Sequence, residues 1–200
     1  MRNLQAGIIV ESIKKKGGKN AIVKTQFPEN PIPIALTLEP AMNFCPICAT
    51  PLETRLMENV PRLACSDASC AYVHWDNPVP VVAALVQYRG GVLLARNVAW
   101  PEGRFSVITG FLEKGEDPEQ AVLREVEEEL GLRGRLKGFI GYYPFYPQNQ
   151  LILAFDVEAE GDVALNHELA EYRVVAIDKL RPWDFGTGLA VRDWLAGRQA

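Results

Sequence analysis

The sequence predicts an α/β domain that follows a small cysteine-rich module. Two apolar runs rich in β-branched residues, 81–86 and 92–95, flank a glycine-rich turn and predict paired strands. An amphipathic helix is predicted over 117–131, and a strand over 104–109 precedes it. Further strand-like runs follow at 151–155 and 173–176. Four cysteines in two closely spaced pairs precede all of these segments. The 200 residues are enough for one domain of ordinary size and one small module.

The ends of the predicted helix are marked by residues with helix-capping properties. Asp117 can accept the free N–H groups of the first turn, and Pro118 follows where a missing N–H costs nothing. Gln120 stands at the position of a capping-box partner, and Gly131 suits the left-handed residue that closes a helix. The residues expected on its buried face are Val122, Leu123, Val126 and Leu130. A second helix is predicted near the C-terminus, with Thr187 as its cap.

A cluster of carboxylates on the first helix is the most informative feature of the sequence. Glu125, Glu128 and Glu129 have the i, i+3 and i+4 spacing that places side chains on one side of a helix. Like charges at this spacing oppose helix formation by a few tenths of a kcal/mol per pair, roughly. A hard divalent cation such as Mg²⁺ or Mn²⁺ would reverse the sign of that interaction. A solvated acidic face is the alternative explanation of the same pattern.

The helix and the loop before it resemble a known family motif. Gly110, Glu116 and the run REVEEELGL at 124–132 match every fixed position of the Nudix box, Gx5Ex7REUxEExGU with U aliphatic. Nudix enzymes hydrolyse nucleoside diphosphates linked to another moiety. The resemblance implies a Nudix fold, an α/β/α sandwich with a mixed sheet. It also implies that Glu125, Glu128 and Glu129 carry the catalytic metal, and that Arg124 and Glu116 form a supporting pair.

The cysteines have the spacing of a zinc ribbon. Cys45 and Cys48 form a CxxC pair, while four residues separate Cys65 from Cys70. Four thiolates can close a tetrahedral Zn²⁺ site that has no open position, so the metal would be structural. A module this small buries little apolar surface, so zinc would supply most of its folding free energy. Disulfide bonds are the alternative pairing of these cysteines.

Three segments are predicted along the chain. Residues 1–41 are interpreted as an N-terminal extension, with a short strand at 7–10 and a basic turn at Lys14–Lys19. Residues 42–76 form the zinc ribbon, and residues 77–200 form the hydrolase domain. The ribbon followed by DNPVPVVAALV and LLAR resembles the branch of the Nudix group that contains NADH pyrophosphatase.

This resemblance implies a dinucleotide or nucleotide-sugar substrate of the NADH, FAD or ADP-ribose class, and it implies a homodimer. The SQPWPFPxS motif of NADH pyrophosphatases aligns with 141–149, where only Pro147 keeps its identity. That departure weakens NADH as the substrate. A capped RNA end is the one nucleic-acid substrate that remains in view.

Several residues outside the motif are candidates for the site. Arg96 and Arg104 are predicted to bind substrate phosphates, since guanidinium matches phosphate oxygens well. Surface ion pairs are the alternative for both. Glu168 is a candidate fourth carboxylate ligand, because many Nudix enzymes take one from a segment after the box. Tyr143, Phe145 and Gln150 are predicted substrate contacts, and an aromatic core or a dimer interface is the alternative for the rings.

Composition and charge exclude several other classes of protein. The formal net charge of −4 disfavours broad nucleic-acid binding, and no apolar run approaches the length of a membrane span. The first residues lack the order of a secretory signal, which predicts a cytoplasmic protein. Two functional alternatives remain: a catalytically silent Nudix domain that senses a ligand, and a nucleic-acid-binding zinc-ribbon protein.

Overall fold

A computed structural model describes residues 8–9 and 42–198. The predicted basic turn Lys14–Lys19 and the rest of the predicted extension lie outside the described residues. Strand β1, Ile8–Ile9, falls within the strand predicted at 7–10 and pairs antiparallel with residues 104–105. In the described part of the chain, no helix is long and apolar enough to cross a membrane. The chain forms two compact units, which divide after Asn77.

The cysteine-rich unit contains a three-stranded antiparallel sheet. Its strands are β2 (Leu52–Met57), β3 (Val60–Cys65) and β4 (Val73–His74), in that order. Glu58 and Asn59 join β2 to β3 with φ values of 52° and 66°, the backbone of a mirror-image hairpin turn. Among the described residues of this unit only Cys45, Ala64 and Cys65 are buried. Apolar packing is therefore too sparse to stabilise the unit, as the sequence predicted.

The larger unit is built on one mixed sheet. Its strands are β5 (Val79–Tyr88), β6 (Gly91–Asn97), β8 (Ile108–Phe111), β9 (Arg133–Phe145), β10 (Gln150–Glu160) and β11 (Leu169–Ala176), and the short β7 (Arg104–Phe105) pairs with β1. The strand order is β11-β6-β5-β10-β9, and β8 also pairs with β5. The β5–β10 pair is parallel and the other pairs of this sheet are antiparallel.

Strand β5 is the centre of the unit because both of its faces are apolar. Val82, Ala84 and Val86 pack in the core under helix α1, Pro118–Leu130. The alternate residues Val81, Ala83 and Leu85 pack in a second core under helix α2, Thr187–Gly197. A sheet with a helix on each face confirms the predicted α/β/α sandwich.

Helix α1 begins and ends at the residues that the sequence predicted. The Asp117 carboxylate accepts the Glu119 N–H at 2.9 Å, and Pro118 is the first helical residue. Gly131 closes the helix at φ 66°, and its N–H donates to the Glu127 carbonyl. The predicted apolar face is largely confirmed: Val122, Val126 and Leu130 are fully buried, whereas Leu123 is only partly buried.

Two local predictions are corrected. The strand predicted over 104–109 is broken into β7 and β8, because Ser106 bridges to Ala95 between them. Thr187 is the first residue of α2 and does not cap it; Gly186 takes the cap position at φ 52°. The Thr187 hydroxyl instead contacts the Ser106 hydroxyl at 3.2 Å, since both are buried between the sheet and α2.

Strand β9 was not predicted at all. Its three glycines and one proline interrupt the alternation that is typical of a strand. The aromatic run at 139–147 indicated ligand stacking instead. Strand β9 lies at the edge of the sheet, where the backbone N–H groups on its outer side have no partner strand. It can therefore accommodate a proline, which lacks an N–H.

Candidate active site

Gly110 makes the close approach between β8 and α1 possible. A Cβ atom at this position would lie 1.8 Å from the carboxylate carbon of Glu125 and within 2.3 Å of both its oxygens. Real Cβ atoms essentially never approach that closely. The absence of a side chain at Gly110 therefore leaves the space in which the Glu125 carboxylate lies against the strand.

The Gly110→Ala variant tests this close approach. We expect the added methyl group to displace the Glu125 carboxylate, and because this is the end of a flexible side chain the free energy of unfolding should fall by no more than about 1 kcal/mol, the low end of overpacking costs. Hydrolytic activity should fall with it. Gly138→Ala is the matched control, since nothing lies within 4 Å of a Cβ built there. Hydrolysis rates of the two variants make the comparison, and equal rates would contradict this role of Gly110.

Arg124 organises the loop before α1. Its Nε and Nη2 donate to the two carboxylate oxygens of Glu116, at 2.7 and 3.0 Å. Nη2 also donates to the Phe111 carbonyl, and the same Glu116 carboxylate accepts the Glu113 N–H at 3.2 Å. The hydrogen bonds from Arg124 hold the pKa of Glu116 below its usual value. The two side chains thus form the bidentate pair that the family resemblance implied, and it fixes the loop to the helix.

The same guanidinium also contacts two of the helix carboxylates. Its Nη1 donates to Glu125 at 2.8 Å and to Glu128 at 3.0 Å. Glu125 lies mostly buried, with a side chain 13% exposed, and burial raises its pKa; Glu128 is 58% exposed. The Arg124 guanidinium is therefore shared between a mostly buried carboxylate, Glu125, and an exposed one, Glu128.

Glu129 is the most unusual of the carboxylates. It is 8% exposed, and burial, followed by the charges of Glu125, Glu168 and Glu128, raises its pKa to about 8. An isolated glutamate has a pKa of about 4.3. Glu129 therefore keeps its proton at neutral pH when no cation compensates its charge. Such a carboxylate is typical of a functional site more than of a structural one.

The loop before β11 brings Glu168 near this group. The Asn166 side-chain oxygen accepts the Glu168 N–H at 2.9 Å, and the Asn166 N–H donates to the Glu129 carbonyl at 3.1 Å. The Glu168 carbonyl accepts the Val98 N–H at 2.8 Å. These bonds tie the loop to the last turn of α1 and to the segment after β6. Sequence analysis missed Asn166, although an Asn two residues before a candidate ligand is a recognisable turn signal.

The donor set fits a divalent cation. Glu125, Glu128, Glu129 and Glu168 offer hard oxygen ligands, which Mg²⁺ and Mn²⁺ prefer. Arg124 is the only cation hydrogen-bonded to these carboxylates in the described part of the chain, and it leaves the Glu129 charge uncompensated. A bound divalent ion would supply that compensation. The four carboxylates therefore remain the candidate ligands for a divalent ion.

The raised pKa of Glu129 predicts how stability depends on pH without metal. Between about pH 4 and pH 8 the folded state keeps a proton that the unfolded state loses, so stability should fall as pH rises. The slope from this one group is at most about 1.4 kcal/mol per pH unit. Urea denaturation in chelator at several pH values measures it, and Glu129→Gln should flatten the profile. Identical profiles for wild type and variant would contradict the assignment.

The two candidate arginines have different environments. Arg96 donates to Glu171 at 2.7 Å and to the Trp100 carbonyl at 3.0 Å, so its guanidinium is engaged within the protein. Arg96 thus forms an ion pair, which was the predicted alternative to phosphate binding. Arg104 stacks over the Trp100 ring at 5.3 Å, and its Nε has no acceptor among the described residues.

Tyr143, Phe145 and Gln150 lie inside the protein. Both rings are 7% exposed and belong to the core under α2, and the Tyr143 hydroxyl donates to Asp193 at 2.9 Å. Burial and this bond raise the pKa of Tyr143 to about 12. Gln150 is 8% exposed at the start of β10. Burial argues against the predicted substrate contacts of all three, because α2 packs over this face of the sheet.

The four cysteines of the smaller unit converge. The Sγ atoms of Cys45, Cys48, Cys65 and Cys70 all lie within 4.8 Å of one another. Cys48 and Cys65 approach to 3.4 Å, and Cys45 and Cys70 to 3.7 Å, far beyond the roughly 2.05 Å of a disulfide bond. All four are free. Four convergent thiols fit a tetrahedral metal such as zinc.

The four-residue spacing of the second pair is accommodated by a turn. Asp67 accepts the backbone and side-chain groups of Ser69 at 2.8 Å, and its carbonyl accepts the Cys70 N–H at 3.0 Å. The Thr50 hydroxyl and N–H lower the pKa of Cys48 to about 6, whereas burial raises that of Cys65 to about 12. A metal that bound all four sulfur atoms would hold each of them as a thiolate.

A mixed sheet between two helices, with a capped helix that carries three glutamates on one side, is the architecture of the Nudix class. Residues 77–193 match the sequence profile of the NUDIX domain. The chain belongs to the Nudix pyrophosphohydrolase family.

Its curated relatives include the NAD-capped RNA hydrolase NudC. The Vibrio vulnificus protein of that name is 31% identical over 144 residues, covering 70% of this chain and 53% of the relative. The one from Stutzerimonas stutzeri is 31% identical over 139 residues, covering 68% and 49%. The homology is distant, and the chain spans about half the length of these relatives.

Solved structures show the same fold. A Nudix hydrolase from Nitrosomonas europaea superposes with a TM-score of 0.62 at 25% identity, covering 70% of this chain and 80% of the other. An ADP-ribose pyrophosphatase from Streptococcus suis superposes with a TM-score of 0.52 at 17% identity, covering 62% and 94%, which shows a shared fold alone.

Proposed function

We propose that this protein hydrolyses the pyrophosphate bond of a nucleoside diphosphate linked to another moiety, with NADH, FAD or ADP-ribose as the substrate class. The observation that carries the proposal is the carboxylate cluster on α1, in which Glu129 is buried without a compensating cation. A cluster of this kind is costly unless a divalent ion binds to it. Membership of the family indicates the reaction class, and the carboxylate cluster indicates the residues that would carry it out.

The NudC relatives suggest a second form of the same substrate. NAD-capped RNA carries the pyrophosphate of a dinucleotide at the end of a polymer, and hydrolysis would break the same bond. The chain is also only distantly similar to these relatives and covers about half of them. We therefore keep the free dinucleotide and the capped RNA end as two arms of one test.

The proposed roles follow from the geometry of each carboxylate. Glu125, Glu128, Glu129 and Glu168 would hold Mg²⁺ or Mn²⁺, which when bound neutralises phosphate charge and lowers the pKa of water. Arg124, through Glu116, keeps the loop and the helix in register. The proton of the attacking water would pass to a carboxylate, with Glu128, Glu129 and Glu168 as the candidates for the general base.

We further propose that the four cysteines hold a structural Zn²⁺ and that the protein forms a homodimer. The convergence of the four Sγ atoms supports the zinc site. The dimer is expected from the family resemblance alone, and sedimentation velocity of the purified protein would test it.

A substrate panel tests the proposed activity. NADH, FAD, ADP-ribose and a short NAD-capped RNA are each incubated with the protein and Mg²⁺ or Mn²⁺, and released mononucleotide is measured. Reactions in ¹⁸O-labelled water identify the phosphorus that is attacked. Metal-dependent release from at least one substrate is the expected result. Binding of a substrate without any hydrolysis would instead indicate a ligand sensor and would overturn the proposal.

A further inference from the structure

The loop before β11 is fastened to the C-terminal end of α1 through its backbone. The Ala164 N–H donates to the Leu130 carbonyl at 2.8 Å, and the Asn166 N–H donates to the Glu129 carbonyl at 3.1 Å. The last four carbonyl groups of a helix lack partners within it, so the loop supplies donors for two of them. A Cβ atom at Gly131 would lie 3.0 Å from the Cβ of Ala164, which shows that the two segments are in close contact.

Apolar side chains on both sides of Asn166 hold the loop in its path. Leu165 packs against the core under α1, and Leu169, the first residue of β11, is buried in that core. Asn166 and Glu168 are half-buried, and His167 between them is exposed. Because packing sets the course of the loop, a change in the Asn166 side chain should leave the loop folded.

The Asn166 side chain holds the backbone of Glu168. Its Oδ1 accepts the Glu168 N–H at 2.9 Å, and the Val98 N–H donates to the Glu168 carbonyl at 2.8 Å. Asparagine commonly binds the backbone two residues ahead in this way, in an Asx turn. Both backbone polar groups of Glu168 are thus fixed, and with them the point from which its side chain starts.

Asn166 therefore joins two of the candidate metal ligands. Its backbone N–H contacts the main chain of Glu129, and its side chain contacts the main chain of Glu168. Beyond burial and the charge of Glu125, the charge of Glu168 also raises the pKa of Glu129, so these two carboxylates lie within electrostatic reach. Residues that hydrogen-bond to metal ligands typically set the affinity for the ion by orienting those ligands.

We infer that Asn166 is a positioning residue, which holds Glu168 beside Glu129 at the spacing that one divalent ion requires. The inference rests on the proposed function for the identity of the ion and for Glu168 as a ligand. A positioning residue acts on metal binding only through the Glu168 carboxylate. A residue that merely stabilised the loop would act whether or not that carboxylate is present.

A double-mutant cycle with Mn²⁺ as the probe distinguishes these two roles without substrate. Asn166→Ala removes the acceptor of the Glu168 N–H, and Glu168→Gln removes the ligand charge. We expect Asn166→Ala to weaken Mn²⁺ binding about 10- to 100-fold, as is typical when a hydrogen-bond partner of a metal ligand is lost. In the Glu168→Gln background the same substitution should change the affinity little, because the two residues act as a unit. Electron paramagnetic resonance of the full chain measures the free ion.

Two further variants complete the experiment. A serine hydroxyl can accept the same N–H more weakly, so Asn166→Ser should bind Mn²⁺ more tightly than Asn166→Ala. His167→Ala is the matched control, because His167 is exposed and lies between the two residues of the cycle. It should bind Mn²⁺ as the wild type does, and circular dichroism verifies that all variants are folded.

The outcomes separate the inference from the proposed function. An equal loss of affinity from Asn166→Ala in both backgrounds would overturn the inference, as would wild-type affinity in Asn166→Ala. If the wild type hydrolyses a substrate of the panel in either case, the proposed function stands without it. The expected pattern of Mn²⁺ affinities in a protein that hydrolyses none of the substrates would overturn the proposed function and leave the role of Asn166 standing.

Discussion

Replacing Glu129 by Gln is expected to abolish hydrolysis while the fold survives. The amide has the size of the carboxylate but cannot take a negative charge, so it is a poor ligand for a divalent ion. We expect the rate to fall at least about 100-fold, the low end of what one catalytic or charge-stabilising group supplies. Because Glu129 is buried and protonated at neutral pH without metal, the neutral amide should not destabilise the metal-free protein.

Glu127→Gln is the control for this variant. Glu127 lies on the same helix, is exposed, and occupies the one variable position inside the REUxEE run. It should retain wild-type activity and metal affinity. Both variants are compared in steady-state hydrolysis and in Mn²⁺ binding followed by electron paramagnetic resonance. Near wild-type activity of Glu129→Gln would show that the carboxylate cluster is not the metal site.

Cys65→Ser is expected to unfold the cysteine-rich unit. Cys65 is fully buried, and only two other residues of that unit are buried with it among those described. Structural zinc in small domains contributes an apparent 10–16 kcal/mol, roughly, which apolar packing of this extent cannot replace. Loss of one thiolate should therefore remove zinc and the chemical-shift dispersion of residues 42–77 in NMR spectra.

Ser66→Ala provides the comparison, since Ser66 is exposed and adjacent to the replaced thiol. It should keep one zinc per chain by elemental analysis. Removing the metal from the wild type with a strong chelator should reproduce the Cys65→Ser spectrum. A folded, metal-free unit would contradict the zinc site, and a mass lower by two hydrogens per cysteine pair would instead favour disulfides.

The features predicted well from sequence are those with strong local signals. Asp117 and Gly131 fix the ends of α1 whatever surrounds it, because capping depends on the backbone of one turn. The all-apolar run of β5 likewise indicates a strand buried on both faces. The convergence of the cysteines was predictable because two closely spaced pairs are typical of metal-binding cysteines.

The features missed depend on contacts between distant parts of the chain. Whether Tyr143 faces a ligand or the core is decided by α2, which packs over it some fifty positions later in the chain. The motif requires Gly110, but only the packed helix shows that the Glu125 carboxylate fills the space. Trp100 is buried, and the sequence contains no sign that its N–H lacks an acceptor among the described residues.

The position of Arg124 has a consequence for how strongly the active site retains its metal. Its Nη1 already satisfies one oxygen of Glu125 and one of Glu128, so an arriving ion competes with an internal counter-charge. At the proposed metal site, the affinity for an ion would therefore be the difference between the free energies of two favourable arrangements. Among the described residues no cationic side chain hydrogen-bonds to the four thiols, so the proposed zinc would be retained more strongly than the proposed catalytic ion.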